Sequence, residues 1–406
     1  MKRWQTFSAA PHRMMFFGGI LQFLLTITWW SLELLGRYTT GWISIQSVIP
    51  STWVHPFLMF YGIFPFFVFG FLMTTYPRWM FGPLVPMRHY VSAWALLFSS
   101  VPLTYLGLLT SKLIFTIATL CLLGGWSIAF YALLQVYFRA PAKDKHYETI
   151  LNMALFAGWL GIVSYLIWLL TDISFFLDFV RQGSLWLYLL PIMITVCHRM
   201  IPYFSSCVLK DYRVVQPAWS LPLMGIGVIG HFSLEMLQLW GWRFIFDLPL
   251  MFLAFHHSFQ WGLRRSLSIH LLAVLHISFA WLGIALLLFN IQSLIFLWSG
   301  QLFLGLAPLH ALTIGFAASL IVGMSSRVIL GHSGRALVAN RLTWICFWGI
   351  SLTALLRIVA ELPIFNSFLG LPLTIWTTCI GLLFLLPWAF YYLPMTVLPR
   401  VDGKPG

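Results

Sequence analysis

Apolar residues along this chain do not follow the period of an amphipathic strand or of a one-sided helix. They come in runs of ~20 residues, the length that crosses ~30 Å of hydrocarbon. Twelve such runs are readable, at roughly 14–35, 56–76, 90–110, 113–137, 150–171, 184–207, 218–240, 244–262, 267–289, 302–325, 342–360 and 371–397. The pattern predicts an all-α fold, a polytopic membrane bundle of about twelve transmembrane helices, with residues 1–406 forming a single integral-membrane domain. The most hydrophilic stretch, Ala140 to Glu148, reads as a central linker, and six runs lie on each side of residue 215 without a convincing internal repeat.

Composition agrees with the pattern. Hydrophobic residues make up 60% of the chain and charged residues 8%, against roughly 25% charged in a soluble domain. A net charge of +13 would suggest nucleic acid in a soluble protein, but its placement gives another reason. With both termini in the cytoplasm, 18 Lys and Arg fall on the cytoplasmic side, and 5 (Arg37, Lys112, Arg181, Arg243 and Arg357) fall outside. This is the positive-inside distribution, so the bilayer is the expected partner and nucleic acid is not. The first run is longer than the apolar core of a signal peptide and reads as a retained span. The five cysteines sit in or beside apolar runs and suggest no disulfide framework. No Cys-x-x-Cys-His occurs, so covalent c-type haem attachment is not indicated.

Polar side chains within the runs are few, and a buried one costs free energy unless it has a task. Residues 301–335 carry the densest set. His310 opens the span, and Ala311, Gly315, Ala318, Val322 and Gly323 follow near one face, a pattern of close packing. The run ends in a basic, glycine-punctuated loop from Arg327 to Arg335 that contains His332. His276 lies about nine residues into its own run. No Lys, Arg, Asp or Glu occurs between Arg265 and Arg327, so neither His276 nor His310 has an evident charge partner. Metal or haem ligation uses neutral imidazole and suits both. At 1.5 Å per residue they lie ~13 Å and ~22 Å from the inner ends of their spans, which favours separate centres, or a haem with a nearby copper.

Other positions are more even-handed. His55 begins the second run and is either an interfacial residue or a ligand. His231 and Glu235 share a helix face at i, i+4, as a ligand with its orienting carboxylate or as a buried pair. Arg199 either snorkels or pairs with an anionic group such as a haem propionate. His12, the adjacent His256 and His257, and His270 read as interfacial, and His146 as solvated. Neighbouring histidines point about 100° apart on a helix and do not readily share one metal. Arg357 and Glu361 read as a structural pair, and Glu235 is the one acidic residue placed deep in the bundle, which argues against a proton-pumping oxidase.

These residues carry a resemblance. The stretch HALTIGFAASLIVGMSSRVILGHSGR, residues 310–335, closely resembles the signature segment of the NnrS family, haem- and copper-containing membrane proteins of the bacterial nitric-oxide response. LHISFAWL (275–282) is similar to that family's LHxxYAWL-type segment, His55 through GFLMTTYPRW (70–79) to its WHxHE…GFLLTAxPNW segment, and RMIP (199–202) to its GRxIP motif. The resemblance implies that His55, His276, His310 and His332 are metal or haem ligands and that Arg199, Arg327 and Arg335 support them. Phe57 and Leu58 stand where the family has the second His and the Glu of WHxHE, and His198 stands where it usually has Gly. One ligand set is then short of donors unless His231 or His198 completes it, and copper is the cofactor this departure bears on. The implied function is binding of haem b, and of copper, in the bacterial inner membrane, with nitric oxide or another diatomic as ligand. Denitrification or respiratory proteins are the implied partners, and turnover, sensing and sequestration are all open. A twelve-span chain also admits a secondary transporter or a cofactor-free assembly factor.

Overall fold

The computed structural model describes residues 2–39 and 45–403; Lys404, counted above among the cytoplasmic charges, lies outside the described residues. A short helix α1 (Lys2–Phe7) is followed by α2 (Pro11–Tyr38), α3 (Ser51–Trp79), α4 (Met87–Thr110), α5 (Lys112–Arg139), α6 (His146–Thr171) and α7 (Ser174–Val208). Then come α8 (Ser220–Met236), α9 (Phe244–Gln260), a single turn α10 (Leu263–Ser266), α11 (His270–Ser299), α12 (Ala307–His332), α13 (Arg341–Val359) and α14 (Leu373–Val397). Among the described residues ten of these helices are long and apolar enough to cross a membrane. Helices α8 and α9, at 17 residues each, sit at the short end of the spanning range. The all-α polytopic bundle expected from the hydropathy pattern is what the chain forms. Among the described residues the strands are confined to a hairpin of two-residue strands, Ser367–Phe368 and Leu371–Pro372, between α13 and α14.

The chain folds into two compact units. Unit 1 contains residues 1–189, 328–336 and 389–406; unit 2 contains 190–327 and 337–388. In unit 1, α2 and α3 interlock through glycines and phenylalanines. A Cβ on Gly18 would lie 2.6 Å from the Phe66 ring, and one on Gly70 would lie 2.8 Å from the Phe16 ring. Only glycine lets each ring enter the opposite helix, which is how helices associate where water provides no drive between them.

Among the described residues three helices contain π-helical stretches, Leu58–Ile63 in α3, Ser184–Leu189 in α7 and Ala311–Ala318 in α12. Such stretches re-aim side chains and are common at functional sites. The first begins three residues after His55, and the third begins immediately after His310.

Candidate functional sites in the two units

Unit 1 brings together two histidines that are 320 positions apart in sequence. The rings of His12 and His332 have centroids 4.0 Å apart, with planes inclined at 43°. His12 is the second residue of α2 and is 3% exposed; its Nδ1 lies 3.4 Å from the Thr74 hydroxyl. The buried Arg13 donates from Nη1 to the carbonyls of Leu398 at 2.9 Å and Thr396 at 3.3 Å. Those carbonyls belong to the end of α14, where the helix supplies no donors of its own. Arg400 donates from Nη1 to the His332 carbonyl at 3.4 Å and holds the Asp402 carboxylate through Nε and Nη2 at 2.9 and 2.6 Å. The Asp402 hydrogen bonds raise the Arg400 pKa above its ordinary value. A cavity of about 10 Å³ lies among His12, Arg13, Ile329, His332, Ser333, Met395 and Thr396, room for about one water-sized group. Arg335, in the following loop, has a buried Nη1 without a hydrogen-bond partner.

His55, also in unit 1, is half-buried and stacks on Trp30 with centroids 3.8 Å apart and planes 20° apart. Phe57 lies face to face with Tyr165 at 3.9 Å and 11°, next to Tyr61 at 5.4 Å. Leu58 is 2% exposed. The two positions after His55 are therefore apolar core and supply no donor atom.

In unit 2, His276 is 1% exposed and its Nε2 lies 2.9 Å from the Ser205 hydroxyl. His310 directs Nδ1 to the carbonyl of Leu306 at 2.9 Å. That bond places the ring proton on Nδ1 and the lone pair on Nε2. The small-residue face below His310 is filled by α11: a Cβ on Gly315 would lie 2.6 Å from Trp281, and one on Gly323 would strike Val274. The small residues admit a neighbouring helix rather than a planar ligand. Arg327 is 9% exposed and lies over the Phe204 ring, 4.0 Å from its centroid. The Arg199 carbonyl accepts from Gln216 Nε2 at 3.2 Å.

The His231 environment is ionic. Its Nδ1 is 2.6 Å from Asp247 Oδ1 and its Nε2 is 3.6 Å from Glu235 Oε1. Arg243 pairs with Glu235 and donates to Gln292 Oε1 at 3.0 Å. One imidazole and one guanidinium thus face two carboxylates. Glu235 is not the one acidic residue deep in the bundle: Asp247, in the first turn of α9, is fully buried.

The NnrS family model matches residues 6–400. The chain belongs to the NnrS family. It is therefore a membrane protein of a nitric-oxide-response family. No curated protein matches the chain.

The residues singled out by the NnrS resemblance divide between the two units. His55, His332 and Arg335 lie in unit 1, and Arg199, His231, His276, His310 and Arg327 in unit 2. Among the described residues, no three His, Cys, Asp or Glu side chains are close enough to hold one metal ion. The sequence reading passed over His12, which resembled an interfacial anchor. It also passed over His257, which is fully buried while its neighbour His256 is exposed. Nothing local marks His12. For His257, the 100° offset between adjacent helical residues was a usable signal, since it puts one of any such pair on the inner face.

Proposed function

We propose that this NnrS-family protein binds haem b in the bundle and, through it, nitric oxide or a similar diatomic, in nitric-oxide stress or denitrification at the bacterial inner membrane. The observation that carries the reading is the set of the His310 ring. A backbone carbonyl holds Nδ1–H, the lone pair is on Nε2, and a π-helical stretch begins at the next residue. This is the arrangement that prepares a histidine for an iron or copper ion. The donor chemistry of His310 fits haem iron, and that of His276 fits once Ser205 releases Nε2. Arg327 and Arg199 are the unit 2 cations suited to propionates. When bound, haem would supply an iron able to take up the diatomic. The protein's own part is to fix the tautomer of the imidazole through the Leu306 carbonyl and to pack the helix that carries it against Trp281 and Val274. Copper fits less well beside His55, where Phe57 and Leu58 offer no donor.

A reduced-minus-oxidised optical spectrum of the detergent-purified protein, recorded with and without nitric oxide, tests the proposal. A haem b spectrum that shifts with nitric oxide and disappears in His310→Ala supports it. Colourless protein from haem-replete cells would sink it. Full haem retention in His310→Ala would move the ligand elsewhere.

A further inference from the structure

Two loops of unit 2 that are far apart in sequence are locked together. The first, residues 209–219, follows α7, and the second, residues 261–269, follows α9. The Trp261 indole donates from Nε1 to the Val215 carbonyl at 2.9 Å. Arg265 donates from Nη2 to the carbonyl of Lys210, 55 positions away. The chain turns at Gly262 with φ +86°, and a Cβ there would lie 3.8 Å from the Tyr212 ring. Such a left-handed turn favours glycine, and it brings the second loop against the first.

These contacts gather Lys210, Arg213, Arg264 and Arg265 at one corner, all four exposed. The two loops contain a single carboxylate, Asp211. Among the described residues none of the five forms an ion pair, and the Lys210, Arg213 and Arg264 side chains donate no hydrogen bond to the protein. The positive-inside rule places cations at the ends of spans. It does not ask two loops to bring theirs together, which like-charge repulsion opposes. The loop from Ala140 to Glu148 shows a quieter arrangement. There Lys143 and Lys145 flank Asp144, and Lys145 is held by the Tyr137 carbonyl at 2.6 Å. On the same two loops and at the end of α7, Val208, Val214, Trp219 and Leu267 are exposed, so apolar side chains adjoin the charges. A phospholipid meets both features, with phosphate for the cations and glycerol and acyl chains for the apolar rim.

We propose that this corner binds the headgroup of an anionic phospholipid, a two-phosphate headgroup such as that of cardiolipin matching the four cations. Arg264 and Arg265 present planar guanidinium groups, which grip phosphate oxygens through paired hydrogen bonds. Lys210 and Arg213 balance the remaining negative charge. The bound lipid ties the loop after α7 to the loop after α9 and offsets the repulsion between them. The site uses none of the histidines of the haem reading and stands whether or not haem binds.

The test uses the full chain in mild detergent, stripped of lipid and given cardiolipin, phosphatidylcholine or inorganic phosphate separately. Native mass spectrometry is expected to count one retained cardiolipin per chain. Cardiolipin should also raise Tm, an effect that phosphatidylcholine and phosphate do not produce and that high salt reduces. Lys210→Gln combined with Arg264→Gln removes two cations whose side chains bond to nothing in the protein. Its lipid-free Tm should match the parent, while cardiolipin affinity falls at least about tenfold. Arg139→Gln combined with Lys143→Gln removes the same charge from the end of α5 and the loop after it, and should bind as the parent does. Undiminished cardiolipin binding in the first double variant, or an equal loss in the second, would overturn the proposal. So would a rise in Tm with phosphate equal to that with cardiolipin, since the corner would then be a site for a free anion.

Discussion

Two histidines that look alike in sequence, His231 and His332, sit in opposite electrostatic settings. His231 is enclosed by Asp247, Glu235 and Arg243, in a network whose charges can balance internally. His332 is half-buried against a second imidazole, in a corner where the formal charges nearby are Arg13, Arg78 and the Arg400–Asp402 pair. The first ring has carboxylates on both nitrogens and is committed to holding helices together. The second has a neutral ring as neighbour and a water-sized space beside it, the surroundings of a donor that can still accept a ligand. Burial alone therefore does not separate a structural histidine from a binding one; the charge of its partners does.

The comparison breaks most readily at Arg243. Arg243→Met leaves Glu235 buried beside His231 and is expected to cost about 3–5 kcal/mol, read as a fall in thermal stability in detergent. A loss below about 1 kcal/mol would mean that charge does not hold this network together. Asp247→Asn removes the charge from the 2.6 Å bond to His231, and about 2 kcal/mol is expected, in line with hydrogen bonds to charged groups. His12→Ala and His332→Ala sharpen the contrast from the other side. Each should cost about 1 kcal/mol or less in stability, yet lower the bound metal or haem if this corner is a ligand site. Equal cofactor content in both variants and the parent would assign the corner a purely structural role. The smallest effect is expected at Arg357→Ala, about 0.5 kcal/mol. Its pairing with Glu361 at 2.5 Å is the helical i, i+4 contact expected from spacing.

Much of the architecture was legible because hydrocarbon imposes a simple rule: each span must satisfy its own backbone hydrogen bonds, so length and hydropathy suffice to place it. Local contacts were legible too. The Arg357–Glu361 pair and the approach of Glu235 to His231 follow from helical spacing. The small-residue face of α12 was read correctly as a close-packing surface, but its occupant was not named. It is Trp281 and Val274 of α11, and nothing in the segment 310–335 specifies them.

The sequence by itself determined the class of protein, the helices and the family, because these depend on composition, period and local motif. Tertiary structure alone decided which polar groups meet. His12 reaches His332, His198 reaches His257, and Asp247 reaches His231 across intervals of 320, 59 and 16 positions. Side chains so far apart meet only through the packing of separate helices. That packing is set by glycine gaps and aromatic rings spread through each unit, and no single stretch of sequence records it.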